Sequence, residues 1–157
     1  MRIPQAFVEV ASFPVSGKKQ RYLRKHRQGG GITGTALVAA ARLGAKCAYA
    51  GRLGHNELAN FIREGLREEE IEVLDTGAPA AAKPYHSIIL VERETGERTI
   101  LDSNEGVLEH TPDSLKESWI AQARGLFLDW LGMDAAHHAA VFQSTAHVLE
   151  PAQGLRS

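Results

Sequence analysis

The stretch GGGITGTALVAAARLG, residues 29–44, constrains the fold more than any other part of this chain. Three consecutive glycines, a fourth glycine three residues later and an alanine-rich run are typical of a loop that brings backbone close to a ligand at the start of a helix. Strong helix formers fill residues 36–43, Thr33 or Thr35 can cap the start, and Gly44 is placed to end the helix. The stretch therefore predicts a ligand-binding loop followed by a helix.

The composition of the chain is that of a globular domain. With 157 residues, 43% of them hydrophobic, it is long enough for one domain and too short for two substantial ones. A formal net charge of -1 and the lack of an apolar run of about 20 residues argue against a nucleic-acid partner and against membrane insertion. Because Cys47 is the single cysteine and the N-terminus lacks the apolar core of a secretory signal, we expect a cytoplasmic protein.

Two further elements follow the alanine-rich helix. AKCAYAG, residues 45–51, is typical of a buried strand, and NELANFIREGLREEE, residues 56–70, predicts a second helix with Asn56 as its N-cap. One face of that helix carries the apolar residues Leu58, Phe61, Ile62 and Leu66. A glycine loop followed by a helix, a strand and a helix predicts a parallel α/β sheet.

Shorter strands flank this α/β portion. Residues 6–10, AFVEV, alternate as a strand does, and the basic segment KKQRYLRKHRQ, residues 18–28, is more typical of a solvated edge strand than of a nucleic-acid patch. HSIILVE, residues 86–92, and RTILD, residues 98–102, predict an antiparallel hairpin that turns at Gly96.

The C-terminal part returns to helical and buried patterns. Thr111 as a cap and Pro112 at the first helical position predict a helix over residues 111–122. GLFLDW, residues 125–130, predicts a buried strand ending in an acid. The residues that follow have helical composition through Phe142, and the pattern is then lost.

Two nucleotide-binding motifs share letters with the glycine stretch. Residues 29–34 fit the dinucleotide fingerprint G-x-G-x-x-G, but that motif needs a preceding apolar strand, and the residues before it are RYLRKHRQ. Gly29 and Gly34 also have the spacing of a phosphate-binding P-loop, in which a lysine follows; here Thr35 follows. The P-loop interpretation fails, and a dinucleotide-binding oxidoreductase stays an alternative.

His137 and His138, with Asp134 upstream, come nearest to a metal-binding pattern. Adjacent histidines on a helix point about 100° apart and cannot easily share one ion. No second cluster supplies further ligands, and no serine or cysteine has the context of an activated nucleophile. We expect no metal site and no catalytic residue within this sequence.

Several spaced motifs, all in order, match one family. The chain resembles the N-terminal half of the ribokinase-like (PfkB-type) carbohydrate kinases over roughly residues 6–135. Their signature is a diglycine, a polar residue four positions on, a helix ending in A-R-L-G, a strand, and then G-x-x-G-x-D opening the next helix. The matching positions in this chain are Gly30, Gly31, Thr35, Ala41-Arg42-Leu43-Gly44, Gly51, Gly54 and Asn56.

The resemblance implies a fold as well as an activity. It implies a three-layer α/β domain, a parallel sheet flanked by helices, with a small β lid; the part present here is incomplete. Lid strands are expected at about residues 6–27 and 86–102, and the α/β portion at about residues 29–76 and 111–142.

The same resemblance implies the site. By analogy with the family, Gly30, Gly31 and Thr35 contact the sugar, and Asp129 is a further candidate at a strand end. Members of the family transfer the γ-phosphoryl group of ATP, with Mg²⁺, to a sugar hydroxyl. The sites for ATP and Mg²⁺ are not expected in this chain.

This sequence departs from the family pattern in several places. Thr35 replaces the usual asparagine, Asn56 an aspartate and Ala59 a glycine, while the later D-T-x-G-A-G-D motif, which supplies the anion hole and the catalytic base, does not occur. We therefore expect the sugar-binding and lid portion of such a kinase, truncated and inactive alone. A non-catalytic module that associates, for example as a homodimer through the β lid, is the alternative from another class.

Overall fold

A computed structural model describes residues 3–129 and 147–149, which adopt a mixed α/β fold. A 3₁₀ turn spans Pro112–Ser114. In chain order the helices and strands are β1 (Ile3–Val10), β2 (Arg24–Gly30), α1 (Ile32–Arg42), β3 (Ala48–Tyr49), α2 (Glu57–Arg67), β4 (Glu72–Val73), β5 (His86–Glu92), β6 (Arg98–Ser103), α3 (Glu117–Gln122), β7 (Gly125–Phe127) and β8 (His147–Leu149).

The N-terminal strand, the basic segment and the predicted hairpin share one four-stranded sheet, with the order β2-β1-β5-β6. β2 runs antiparallel to β1, β5 runs parallel to β1, and β6 runs antiparallel to β5. The basic segment forms an edge strand with mostly exposed side chains, as predicted. The hairpin turn is also confirmed, since Gly96 has a φ of 72°. Whether this sheet acts as a lid stays a prediction.

Arg27 joins the edge of this sheet to α2. Its guanidinium lies 2.7 Å from a carboxylate oxygen of Glu57 and 5.7 Å from the centre of the Phe61 ring. The hydrogen bond from Arg27 lowers the pKa of the Glu57 carboxyl. The contact links the edge of the sheet to the helix that carries half of the buried cluster.

The start of α1 differs from the prediction. The helix begins at Ile32, and its N-cap is Gly31, so Thr33 and Thr35 both lie inside the first turn instead of capping it. Gly31 has a φ of 85° and a ψ of 153°, a combination that glycine adopts without the strain of a side chain. The backbone conformation of Gly31, without any side chain, therefore determines the direction in which the chain enters α1.

The predicted end of α1 is confirmed. Gly44 has a φ of 90°, and its N–H donates to the carbonyl of Ala41. The N–H of Ala45 reaches back to the carbonyl of Ala40. These two bonds form a Schellman motif, which satisfies carbonyls that the last turn would otherwise leave open.

The hydrophobic core lies against α2. Asn56 caps this helix through its Oδ1 atom, which accepts a 3.0 Å bond from the N–H of Ala59, and this confirms the predicted cap. The predicted apolar face is confirmed as well, with Ile62 and Leu66 fully buried, although the helix already ends at Arg67. The buried cluster consists of Tyr49, Leu53, Ala59, Ile62, Leu66 and Ile71.

Parallel pairing, the mark of the predicted α/β class, occurs in two further places. β3 pairs in parallel with β4, and β7 pairs in parallel with β8. β3 is only two residues long, shorter than the strand predicted over residues 45–51. Within the described residues it is hydrogen-bonded to one neighbouring strand, β4.

The helix predicted over residues 111–122 is wrong in its first half. The Ser114 hydroxyl and the Ser114 N–H both donate to the carbonyl of Thr111, which closes a tight 3₁₀ turn. Lys116 is then extended, with a φ of -78° and a ψ of 131°, and only Glu117–Gln122 is α-helical.

Part of the prediction lies outside the described residues. This applies to the helical composition through Phe142 and to the pair His137 and His138 with Asp134. Within residues 3–129 and 147–149, no helix has the length and apolar character needed to cross a membrane. The cytoplasmic location stays a prediction.

Candidate functional site

Asp129 follows β7 and lies against the first turn of α1. The Thr33 hydroxyl donates to Asp129 Oδ2 over 2.7 Å, and each of the two residues is only 9% exposed. α1 has no acidic residue in its own first turn and no side-chain cap. The carboxylate of Asp129 therefore brings a negative charge to the positive end of the helix dipole.

The predicted site residues Gly30, Gly31 and Thr35 lie at this same end of α1. Gly30 ends β2, where a Cβ atom would collide with the Gln5 side chain, and Gly31 is the N-cap. Thr35 is exposed, and its N–H donates to the Gly31 carbonyl over 3.0 Å. The end of α1 thus collects all four residues that the sequence singled out.

Thr35 and Asp129 nevertheless lie on different sides of the helix. Residues two positions apart are separated by about 200° around a helix axis, so Thr33, which binds Asp129, and Thr35 face opposite ways. A ligand that touches both Thr35 and Asp129 must therefore lie over the tip of the helix, where Gly31 carries no side chain to block it.

A cleft of about 1400 Å³ opens beside Asp129. One wall is the face of α1 that carries Thr33, and the others are the segments around β3 and β7. Two further polar side chains that line it are Arg52 and His110. The lining of the cleft is therefore mixed, with apolar side chains of α1 beside a polar group at the Asp129 end. Further charged residues that line it are Lys46, Glu72, Lys83 and Arg124.

His110 is held by the turn before α3. Its Nδ1 atom lies 2.9 Å from the Ser114 hydroxyl, whose single proton is donated to Thr111 O. The ring therefore donates from Nδ1, which leaves Nε2 as the acceptor of a neutral imidazole. Burial lowers the pKa of His110, the charge of Arg52 lowers it further, and the charge of Asp129 opposes them.

Arg52 approaches the same region from the end of β3. Its guanidinium donates to the backbone carbonyl of Glu109 over 3.1 Å, next to His110 in the chain. Its Nε atom is buried and has no hydrogen-bond partner in the part of the chain that the structure describes. This nitrogen is a buried donor that the described residues leave unsatisfied.

Two further kinds of site, a cluster of metal ligands and a dinucleotide fingerprint, can be compared with the described residues. Across residues 3–129 and 147–149, no three His, Cys, Asp or Glu side chains converge on a possible metal position. The strand before the glycines is an exposed antiparallel edge strand, which does not fit the dinucleotide fingerprint either. That the sites for ATP and Mg²⁺ lie outside this chain stays a prediction.

A comparison with known families decides the identity of the fold. The model of the pfkB family carbohydrate kinases matches residues 6–153. The chain belongs to the pfkB family. The match includes the diglycine, the first turn of α1 and Asp129, so the candidate site lies inside the family domain.

Solved structures of ribokinases share this fold. The chain is similar to the ribokinase of Giardia lamblia (TM-score 0.79, 18% identity, covering 99% of this chain and 54% of that one). It is also similar to the ribokinase of Thermotoga maritima (TM-score 0.78, 18% identity, covering 99% of this chain and 52% of that one). A third similar structure is the ribokinase of Arabidopsis thaliana in complex with ribose and ATP (TM-score 0.75, 14% identity, covering 98% of this chain and 52% of that one). The predicted ribokinase-like α/β fold is confirmed, and the chain spans about half the length of these structures.

Sequence reasoning missed three residues of the polar group. Thr33 was assigned to capping, although its spacing from Leu37 and Ala40 puts it on the helix face that lines the cleft. A threonine hydroxyl on a buried helix face needs a hydrogen-bond partner, and this requirement could have indicated a polar group opposite Thr33. Arg52 and His110 are brought to the cleft by loops, and their spacing carries no comparable signal.

Proposed function

We propose that this pfkB-family chain binds a sugar at the N-terminal tip of α1 and forms the acceptor side of a carbohydrate kinase site. The observation that carries the proposal is the contact between Thr33 and Asp129, which sets a carboxylate beside the diglycine in a largely buried position. The residues proposed to contact the sugar are Gly30, Gly31, Thr35 and Asp129.

Each of these residues has a chemical role toward a polyol. The Asp129 carboxylate accepts a hydrogen bond from a sugar hydroxyl, and a bond to a charged acceptor is stronger than a neutral one. The Thr35 hydroxyl both donates and accepts, so it pairs with a second hydroxyl of the ring. Gly30 and Gly31 let the ring approach the backbone closely because no side chain intervenes.

The four-stranded sheet has a role in the same proposal. It adjoins the tip of α1, because β2 ends at Gly30 and the helix begins two residues later. A sheet in this position would cover a bound sugar and exclude water, as a lid does. We propose this role for β1, β2, β5 and β6.

We further propose that the chain by itself binds sugar without transferring a phosphoryl group. Phosphoryl transfer needs a base on the acceptor hydroxyl and groups that stabilise charge on the moving phosphoryl. The D-T-x-G-A-G-D motif that supplies them in the family does not occur in the sequence. ATP and Mg²⁺ therefore belong to this proposal only through the intact family.

Titration calorimetry with D-ribose, D-fructose and D-glucose tests the sugar site. We expect saturable binding of at least one sugar by the full chain and a loss of about tenfold or more in Asp129→Asn. Asp113→Asn, in the exposed turn before α3, is the matched control and should bind as the unsubstituted chain does. An enzyme-coupled assay for ADP should show no sugar-dependent turnover. Binding that is equal in all three proteins contradicts the proposal.

A second proposal concerns self-association through the four-stranded sheet. Ile88 and Leu101 lie directly opposite each other on β5 and β6, and they are 43% and 53% exposed. An exposed apolar pair on a sheet favours contact with a second copy of the chain. Light scattering should detect a dimer that Ile88→Lys disrupts and that Ile100→Lys, on the other face of β6, leaves intact. A monomeric unsubstituted chain at high concentration contradicts it.

A further inference from the structure

We propose that the outer edge of β2 binds an acidic segment of a partner protein, which adds to the four-stranded sheet as a further strand. The surface consists of residues 18–28, which we call the basic edge, and every one of them is exposed. The proposal does not depend on whether a sugar binds at the tip of α1.

β2 lies at the end of its sheet, and its outer edge is open. The strand order is β2-β1-β5-β6, and within the described residues no strand pairs with β2 on the side away from β1. An open edge presents N–H and C=O groups with which an extended peptide can pair. The edge therefore suits a polypeptide in strand conformation.

Two hydrogen bonds show how the backbone of β1 alternates. The Glu9 carbonyl accepts a 2.7 Å bond from the N–H of Leu23, on the β2 side. The Val10 carbonyl accepts a 3.0 Å bond from the N–H of Arg93, on the β5 side. Alternate residues of a strand direct their backbone groups to opposite edges, so odd-numbered residues of β1 face β2 and even-numbered ones face β5.

This alternation identifies the outward backbone groups of β2. Lys25 lies opposite Val8, and Arg27 lies opposite Ala6. Because Val8 and Ala6 direct their backbone groups to β5, neither of these pairs is joined by hydrogen bonds between β1 and β2. The N–H and C=O groups of Lys25 and Arg27 therefore point to the outer edge, where an added strand would bond to them.

The charge of the basic edge selects an acidic occupant. It holds six cationic residues and no acidic one, although the net charge of the whole chain is -1. Arg27 pairs with Glu57 over 2.7 Å, and Arg24 lies 3.9 Å from Glu9. Acidic side chains on an incoming strand would compensate the other four cations, which form no ion pair with any described residue. These four are Lys18, Lys19, Arg21 and Lys25.

Two other occupants fit the basic edge less well. A second copy of β2 would place lysines and arginines opposite one another, which is unfavourable. The phosphates of a nucleic acid accept hydrogen bonds but donate none to the outward carbonyls of Lys25 and Arg27. Tyr22 is also the one Phe, Tyr or Trp of the segment, whereas binding of single strands uses several stacking rings. An acidic polypeptide uses both the charges and the backbone groups.

Apolar side chains beside β2 indicate a second property of the partner. Tyr22 and Leu23 come directly before the strand, and both are large hydrophobic residues with exposed side chains. Covering them removes apolar surface from water. The partner segment should therefore combine acidic with apolar residues.

A fluorescein-labelled peptide that alternates glutamate and valine tests the proposal on the full chain. It has seven residues, the length of β2. One control peptide carries N-methyl groups on two adjacent central residues, which removes one N–H from each of its edges and leaves its charge unchanged. A labelled oligouridylate tests the nucleic acid. The variant Lys25→Glu reverses a charge on the basic edge, and Lys46→Glu makes the same change at an exposed position after α1.

Fluorescence anisotropy should show saturable binding of the glutamate–valine peptide. We expect the N-methylated peptide and the Lys25→Glu variant each to lower the affinity about fivefold or more, and Lys46→Glu to stay within about twofold of the unsubstituted chain. If circular dichroism shows that Lys25→Glu is unfolded, hydrogen exchange of the unsubstituted chain decides, because bound peptide should protect the amides of Lys25 and Arg27. A lack of saturable binding, equal binding of the N-methylated peptide, or tighter binding of the oligouridylate overturns the proposal.

Discussion

The hydroxyl of Thr33 donates a 2.7 Å hydrogen bond to the carboxylate of Asp129, 96 residues further along the chain. This bond ties the first turn of α1 to the end of β7, and both residues are largely buried. It also fixes the carboxylate next to Gly31, where α1 begins without a side-chain cap. The same contact therefore supports the fold and shapes the candidate sugar site.

Replacing Thr33 should separate these two roles. Thr33→Val removes the hydroxyl and takes a donor from a buried carboxylate, so we expect the free energy of unfolding to fall by about 1–3 kcal/mol. Thr35→Val, two positions along on the exposed side, should change it by less than about 0.5 kcal/mol but should weaken sugar binding. Urea unfolding and calorimetry measure the two effects. If both variants lower the free energy of unfolding equally, the buried hydrogen bond between Thr33 and Asp129 does not contribute to stability as argued.

The stability of the chain should fall in mild acid because of His110. Its pKa in the folded state lies below the ordinary value of 6.5, since burial and Arg52 disfavour the charged ring. In the interval between the lowered pKa and 6.5 the unfolded chain binds more protons, so unfolding becomes more favourable as the pH drops.

Melting temperatures at pH 7.5 and pH 5.5 check this expectation. His110→Asn should lose less stability over this interval than the unsubstituted chain. If His110→Asn and the unsubstituted chain show identical pH dependence, His110 does not titrate as the geometry requires.

Two glycines should respond differently to alanine. A Cβ at Gly54 would collide with the backbone carbonyl oxygens of Ala80 and Ala82, so Gly54→Ala should cost about 3 kcal/mol in unfolding free energy. Gly44 has open space around it but a φ of 90°, so Gly44→Ala should cost only about 1–2 kcal/mol. Thermal or urea unfolding measures which of the two variants loses more unfolding free energy. The reverse order would show that the loop at residues 80–82 does not pack against Gly54.

The core under α2 should be sensitive to truncation. Leu66 has no exposed surface, so Leu66→Ala should lower the free energy of unfolding by about 2–5 kcal/mol through lost burial and a cavity. Leu43 is 89% exposed, and Leu43→Ala should cost less than about 0.5 kcal/mol. Urea unfolding of the pair measures the difference, and equal losses would place the core elsewhere.

Local sequence patterns correctly predicted helix caps and turns, which depend on interactions among a few neighbouring residues. Asn56 before an amphipathic segment predicted a cap that the structure confirms, and Gly44 and Gly96 predicted two positions that adopt a positive φ. In each case the residue type satisfies a backbone requirement within a few neighbours. The class of the fold followed from the order of such elements.

Contacts between residues far apart in the chain could not be predicted from local sequence patterns. The bond from Thr33 to Asp129 depends on the packing of α1 against the end of β7, and no local pattern encodes it. The helix predicted from Thr111 gave way to a turn because the Ser114 hydroxyl competes for the Thr111 carbonyl. The diglycine and Asp129 were predicted through family resemblance, and their sugar-binding roles remain proposals.

The central claim is that Asp129, at the tip of α1, holds a hydroxyl of a sugar. Titration calorimetry with a bound sugar and its single-deoxy analogues, on the unsubstituted chain and on Asp129→Asn, tests it most directly. We predict that the unsubstituted chain rejects one analogue by about tenfold or more and that Asp129→Asn no longer distinguishes this analogue from the parent sugar. The same discrimination in both proteins would contradict the claim.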